Sequence, residues 1–529
     1  SVFMIKRILF VLLLTIATSC KKDKKKDVIF SPVETEITDE GKIISIDSVY
    51  MKTIRGSVVF SFYDANDFKT YWLANSCRQN LLSILENAES EGHNPQDFDL
   101  QKIHEKEEEI LELNEKELVE YDFLLTENLY KFITLTAVGK TKPSDLYNDW
   151  DIKPNEVNAK ELLLNFIKKD SFDYAVSEIA PKHPVYKKLR QSLKILDTFP
   201  EDDLKKLEIK DKIELNDSSE IMPDIKRRLI YWRELPFQDS LTYIYDEAML
   251  NAVKKFQFRH GLATDGVIGK GTVAALNYTK EQRRQQIIAN MERWRWYPRD
   301  FGNEYLLVNI PNYSLVVVKN NDTIRMHRII VGTSKRKTPI LTSKLSHIVL
   351  NPTWTIPPTI LKEDVIPATN RNRNYLSQKN LTVYDSKGNV VSHENWKPEE
   401  ARSYRYVQSP GKSNSLGLVK IMFPNNFSVY LHDTNSRSYF ERENLSLSSG
   451  CVRVQNPFEL TEYLLDESEN WSIDKIQEVI NEGKTTNINL KKTPFLYLYY
   501  WTAWSDNNQL IFRDDIYNLD KKLYEKLRN

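Results

Sequence analysis

Residues 430–454 read YLHDTNSRSYFERENLSLSSGCVRV, and the layout of the C-terminal half of the chain turns on this stretch. Just ahead of it and into it, the β-prone apolar residues Phe427, Val429 and Leu431 predict a strand that delivers His432 to its end. Nineteen positions later Ser448, Ser449, Gly450 and Cys451 precede a second short β-rich run, Val452, Arg453 and Val454. A thiol is a weak nucleophile at its free pKa of about 8.5 and a strong one where an imidazole or backbone N–H dipoles favour the thiolate. Two strand ends carrying one His and one Cys thus offer a base and a nucleophile. Gly450 permits backbone angles closed to other residues and lets a substrate carbonyl approach main-chain N–H groups that hold an oxyanion. Arg453 adds a fixed positive charge two residues on. On one Cys and one His alone, a buried core thiol beside a surface-loop histidine remains the competing reading.

Working outward, 529 residues predict about two to four domains. Lys plus Arg and Asp plus Glu both number 74, so no long-range field argues for nucleic acid. The three cysteines, Cys20, Cys77 and Cys451, are too few for a disulfide framework, and Cys77 falls among apolar positions that predict core. At the N-terminus, Lys6 and Arg7 precede the apolar run ILFVLLLTIA (residues 8–17), too short to span a bilayer and suited to a signal sequence. Ala17, Thr18, Ser19 and Cys20 resemble a bacterial lipobox, which makes 1–19 a lipoprotein signal peptide, Cys20 the lipidation site and 20–42 a polar tether. Such acylation supplies the multiple anchors that stable membrane attachment needs.

Helical periodicity then dominates residues 43–214, through LANSCRQNLLSILENAESEG and ELNEKELVEYDFLLTENLYKF. A smaller three-helix unit is expected over 215–278 and a linker helix over 279–300, whose ERWRW run predicts an interdomain seam. From 301 to 529 the pattern turns β-rich. Within it, about 361–412 is a long polar insert in which Tyr375, Arg405 and Tyr406 are candidates to line a groove. The histidines show no metal-ligand spacing, and no cofactor is called for.

The run from His432 to Arg453 resembles the signature of the L,D-transpeptidases, the YkuD-type domain, in which a His is followed after a loop by S-x-G-C-[VI]-R. Ser449 stands where a second His is common, a departure that resembles the large YcbB-type branch. ERWRW, VGTSKRKTPI and NPTWTIPPTILKEDVIP carry the same likeness, and LNAVKKFQFRHGLATDGVIGKGTVAALN resembles the peptidoglycan-binding-1 module. The resemblance implies a multidomain α+β chain: a helical scaffold domain, a small three-helix peptidoglycan-binding-like module, and a β-rich catalytic domain with a capping insert. It implies Cys451 as nucleophile, His432 as proton carrier and Gly450 as part of the oxyanion site, with Arg453, Tyr430 and Ser449 at the substrate. The implied activity is a transpeptidase that releases D-alanine from tetrapeptide stems and forms three-to-three crosslinks through a cysteine acyl-enzyme, with no metal. Its implied partners are peptidoglycan stem peptides, the membrane and other wall-synthesis proteins, in the periplasm of a Gram-negative-type bacterium. A cysteine L,D-carboxypeptidase or amidase, and a non-catalytic lipid-anchored wall-binding protein, stay open beside it.

Overall fold

A helix that buries charge on every side anchors the larger part of the structure. The computed structural model describes residues 30–54, 57–169, 172–465 and 470–529; the expected signal peptide and Cys20 lie outside the described residues. Two compact units result, one from residues up to 78 with 103–127, the other from 79–102 with 128–529. In the first unit the hairpin Glu34–Thr38 and Gly41–Ser45 accompanies helical segments. Its buried Asp122 accepts hydrogen bonds from the Tyr63 hydroxyl at 2.5 Å and the backbone N–H groups of Tyr71, Trp72 and Leu73 at 2.9, 2.7 and 3.1 Å. Four donors satisfy a carboxyl that burial nonetheless pushes up to about 6.

The second unit holds helix α1 (Pro184–Asp197) and a module of three helices, α2 (Met222–Tyr231), α3 (Glu247–Arg259) and α4 (Lys270–Leu276). Helix α5 (Lys280–Trp296) follows, opened by a Thr279–Gln282 capping box. Its first turn is exposed, but residues 286–296 are buried throughout, and so polar a stretch must satisfy its charges internally. Arg293 pairs with Asp520 at 2.8 Å and Arg295 with Glu292 at 3.1 Å, while Glu292 also accepts from the N–H groups of Lys140 and Thr141 at 2.6 and 2.9 Å. Trp294 stacks on His183, the N-cap of α1, with 4.6 Å between ring centres. The interleaved Trp and Arg stripe is therefore a seam, as the sequence predicts, and none of its side chains is offered to a ligand.

Eleven strands beyond α5 and one well ahead of it share one sheet. In chain order they are β1 (Trp150–Asp151), β2 (Glu304–Asn309), β3 (Ser314–Lys319), β4 (Asp322–Gly332), β5 (Ile340–Lys344), β6 (His347–Leu350), β7 (Val419–Met422), β8 (Leu431–His432), β9 (Ser446–Ser448), β10 (Val452–Val454), β11 (Thr486–Asn489) and β12 (Phe495–Tyr499). Their lateral order is β11-β6-β7-β8-β10-β4-β3-β2-β12-β5-β1, with β9 also paired to β4. The middle of that order decides the site. Strand β7 runs antiparallel to β8, with Lys420 opposite His432 and Ile421 opposite Leu431. Strand β8 runs parallel to β10, with Leu431 beside Val452 and His432 beside Arg453.

The insert is a small subdomain rather than a loop. Residues Trp354–Thr355, Leu381–Tyr384, Val390–Val391 and Arg405–Gln408 make a separate four-stranded sheet, beginning seven residues before the expected boundary near 361. Ile356, Leu376, Trp396 and Tyr406 form its core. Tyr406, expected in a groove, is buried there; its hydroxyl donates to the Ala401 carbonyl at 2.9 Å and accepts from the Trp396 indole at 2.7 Å. Arg405 stacks on Tyr384 within the same subdomain, 4.5 Å from the ring centre, and Tyr375 packs against its core.

Five histidines, His93, His183, His260, His327 and His432, have their pKa values lowered by burial, to about 3 for His183 and His432. An unfolded chain takes up those protons near pH 6.5, so stability is full above about pH 6.5 and declines as pH falls toward 3. Thermal unfolding followed by circular dichroism should show a midpoint that drops between pH 7 and pH 4. His183→Gln should lower the midpoint at pH 7 and shrink its further fall at pH 4.

Candidate active site

Strand alternation puts Ile421, Leu431 and Val452 on one face of the sheet, where all three are buried in the core. The opposite face must then carry Lys420, His432 and Arg453 in one cross-strand row. Tyr430 and Cys451 lie in the next row, tied by the bond from Val452 N–H to the Tyr430 carbonyl at 3.1 Å. The two residues that sequence places on separate strand ends are thus brought to one face by the parallel register.

His432 is buried, and its Nδ1 lies 2.5 Å from the backbone carbonyl of Asp433, a contact only a donating Nδ1–H satisfies. That leaves Nε2 unprotonated, the acceptor a general base needs. Burial, then Arg453, then Lys420 lower its pKa to about 3, so the ring is neutral at any physiological pH. Asp433 turns to the other side of the strand, accepting from Leu418 N–H at 2.9 Å and pairing with Arg437 at 3.2 Å. Gly417 fits against it because a Cβ there would come within 2.3 Å of the Asp433 carboxylate, at a φ of +64°.

Cys451 is half-buried. Burial raises its pKa, and the Tyr430 N–H and hydroxyl, Lys420 and Arg453 act in the opposite direction. Sγ lies 4.0 Å from the Ser428 carbonyl, and Ser428 sits at a left-handed φ of +57° in the turn before β8. Among the described residues the thiol makes no hydrogen bond to His432. Tyr430 stands edge-on to His432, with 5.6 Å between ring centres, and burial raises its own pKa above the phenolic range.

Gly450 holds a φ of +116°, which a β-carbon would strain, with a Cβ only 3.3 Å from the Lys337 carbonyl. Its N–H, expected at an oxyanion, donates instead to Ser448 Oγ at 3.1 Å, and that hydroxyl donates to the Cys451 carbonyl at 2.6 Å. The Gly450 N–H is thus already engaged within its own loop. Ser449 is exposed, its Oγ accepting from Arg336 at 3.0 Å. Arg336 also grips Glu363 and Asp364 of the insert, at 2.5 and 2.6 Å, so one guanidinium straps the insert to the residue two before Cys451. Thr338 completes the anchorage: its Oγ1 donates to the Gly450 carbonyl at 2.8 Å and accepts from Gly332 N–H at 2.9 Å.

Sequence reasoning missed Lys420, Thr338, Arg336 and Asp433. Lys420 lies at a site-facing position of a strand whose alternate residues are core, and a lysine in such a run reads as solvated. Thr338 and Arg336 sit in the KRKTPI turn, where only the folded chain shows what they touch. Among the described residues no three His, Cys, Asp or Glu side chains gather as a metal site.

Three families match the chain: "Scaffold domain" over residues 57–193, "Putative peptidoglycan binding domain" over 219–276, and "L,D-transpeptidase catalytic domain" over 303–486. A curated relative from Haemophilus influenzae named "Putative L,D-transpeptidase" is 36% identical over 285 residues, 52% of this chain and 58% of the relative. The match thus spans little more than half of that relative's length. Among solved structures, an L,D-transpeptidase of Xylanimonas cellulosilytica is 14% identical, over 55% of this chain and all of its own, with a TM-score of 0.19. Another, from Stackebrandtia nassauensis, is 13% identical over 54% of this chain and 94% of its own, with a TM-score of 0.21. Scores this low carry no argument about the fold.

Thr338→Val, nearly isosteric, orphans the buried Gly332 N–H and frees the Gly450 carbonyl, at a cost of about 1–3 kcal/mol. Urea unfolding should report that loss. The rate of Cys451 alkylation by iodoacetamide should change at the same time, because the variant loosens the loop that aims the thiol.

Proposed function

We propose, for a chain that carries an L,D-transpeptidase catalytic domain and a peptidoglycan-binding module, that it crosslinks peptidoglycan through a Cys451 acyl-enzyme. The observation that carries the reading is the shared sheet face: a neutral, oriented imidazole one row from a half-buried thiol, under a capping subdomain. His432 Nε2 takes the thiol proton as Sγ attacks the carbonyl carbon between the third residue and the terminal D-alanine of a tetrapeptide stem. The negative charge formed on that oxygen is met by Cys451 N–H. The C–N bond breaks, the imidazolium returns its proton to the departing amine, and a thioester remains. An amine from a neighbouring stem attacks that thioester, giving its proton to His432, and the thiol leaves with a three-to-three crosslink formed.

Lysine and arginine on either side of His432 suit an imidazole that must be uncharged before substrate arrives. Ser449 and Tyr430 line the approach to Cys451, Ser449 as the Arg336 partner and Tyr430 as a hydroxyl facing Sγ. The Trp354 indole faces that same hydroxyl and links the insert to the site. Domains that act on the wall place the catalytic part outside the cytoplasm; acylation at Cys20, a periplasmic address and domain limits near 43, 215, 279 and 301 complete the proposal.

Mass spectrometry of muropeptides tests this. Disaccharide-tetrapeptides incubated with residues 21–529 should yield three-to-three dimers, and Cys451→Ala and His432→Ala should each cut their formation by at least about a thousandfold, the scale on which paired catalytic groups act together. Tripeptide monomers without dimers would make the protein a carboxypeptidase, and an unchanged substrate with folded enzyme would sink both enzymatic readings.

A further inference from the structure

Two cations stand on the site face with no carboxylate to meet them. Lys420 is half-buried, its Nζ 4.0 Å from the centre of the Tyr430 ring, and among the described residues it forms no ion pair. Arg453 is likewise without an acidic partner, and its Nε is buried with no hydrogen-bond acceptor. The nearest acid along the strand, Asp433, points to the other side and is engaged by Leu418 N–H and Arg437. An ammonium and a guanidinium in a partly desolvated position, against an aromatic face and a thiol, are costly to hold unless an anion completes them. Two of the most deeply buried guanidinium groups in this chain are given carboxylates, Arg293 by Asp520 and Arg295 by Glu292, whereas Arg283, which has none among the described residues, is covered by the Tyr278 and Phe512 rings.

The register says where that anion sits. Lys420 and Arg453 are the cross-strand neighbours of His432 on its two sides, so their Cα atoms are about 10 Å apart, two strand spacings, within which long side chains converge. Cys451 is two residues before Arg453 on the same face and pairs with Tyr430, whose ring carries the Lys420 ammonium. A peptide whose scissile carbonyl is placed at Sγ puts the carboxylate of the next residue within one residue's length of that atom, about 3.5 Å of chain.

We propose that Lys420, together with Arg453, forms a subsite for the terminal carboxylate of the donor peptide, the carboxylate of the residue that leaves. This rests on the reading of Cys451 as the acylated nucleophile. It makes Lys420 a specificity-determining residue: a free C-terminal acid is selected, and an internal peptide bond or a C-terminal amide at the same place is refused. The cations also acquire a reason to be left unpaired, since a protein carboxylate between them would occupy the seat of the substrate's own.

The test separates this from the parent reading. In Cys451→Ala, which does not turn over, tryptophan fluorescence titration measures binding of a tetrapeptide ending in D-alanine and of the same peptide as its C-terminal amide. The free acid should bind about tenfold more tightly than the amide. Adding Lys420→Met should abolish that preference by weakening the acid alone, and Lys420→Arg should restore most of it. Circular dichroism and thermal unfolding check that each variant is folded. Equal affinity of acid and amide for the Lys420 protein overturns the subsite while leaving the thiol's role intact. Loss of both peptides alike in folded Lys420→Met overturns it in favour of a general structural role. Binding of neither peptide to Cys451→Ala overturns the subsite and the proposed donor together. In the enzyme with its thiol, KM for the acid should rise about tenfold in Lys420→Met with a smaller change in kcat; a matching fall in alkylation rate of the free thiol would instead assign Lys420 to the thiolate.

Discussion

Register across three strands is the constraint on which the rest depends. Side chains of a strand alternate between faces, so a slip of one residue at β8 would send Leu431 toward the thiol and bury His432 in the core. Ile421, Leu431 and Val452 prevent that slip because their burial is worth roughly 1.5–3 kcal/mol each against exposure. The same apolar residues that hold the core together therefore place His432 beside Arg453 and Lys420. Core and chemistry are two faces of one pairing.

The electrostatics of the two regions follow opposite rules. The C-terminal half of helix α5 is polar in sequence and entirely surrounded, and its Glu292, Arg293 and Arg295 are matched by carboxylates, guanidinium groups, backbone N–H groups and a hydroxyl. Removing one partner from such a set leaves a charge stranded in low dielectric, which is costly, whereas the intact set contributes little net stability. Its value lies in fixing how the elements around it meet. On the site face the matching is withheld: Lys420 and Arg453 have no acids, and His432 is kept neutral by burial and by those two charges.

The outline of this molecule was legible in its sequence. Alternation marked the strands, the ERWRW run marked the seam, and His432, Gly450 and Cys451 stood out because the run that holds them resembles a known signature; on residue type alone a core thiol and a loop histidine were as good a reading. The strand ahead of His432 was harder to read. Phe427, Val429 and Leu431 suggest a long strand, yet Ser428 takes a left-handed conformation and only Leu431 and His432 are paired. Asn425 accounts for it, its side chain bonding to the carbonyls of Phe423 and Val429 and the N–H groups of Phe427 and Val429. Arg336, Thr338 and Lys420 escaped because their partners lie far away in sequence, and nothing local in a basic turn or an alternating strand announces them. Gly450 was legible by type, but its N–H was assigned to the wrong partner, since Ser448 was not read as a side chain that folds back onto its own loop.

Parallel pairing of β8 with β10 carries one more consequence. Neighbouring parallel strands cannot be joined by a tight turn, so the chain must leave the sheet after the histidine and return to it before the cysteine. That detour, residues 433–450, carries the Asp433–Arg437 pair, a short 3-10 helix at Arg437–Glu441 and strand β9 along β4. Its length is uncoupled from the distance between the two groups it connects, because the sheet and not the loop sets that distance. Insertions and deletions there can reshape the surface around His432 and Cys451 while the pairing of β8 with β10 keeps the two side chains where they are.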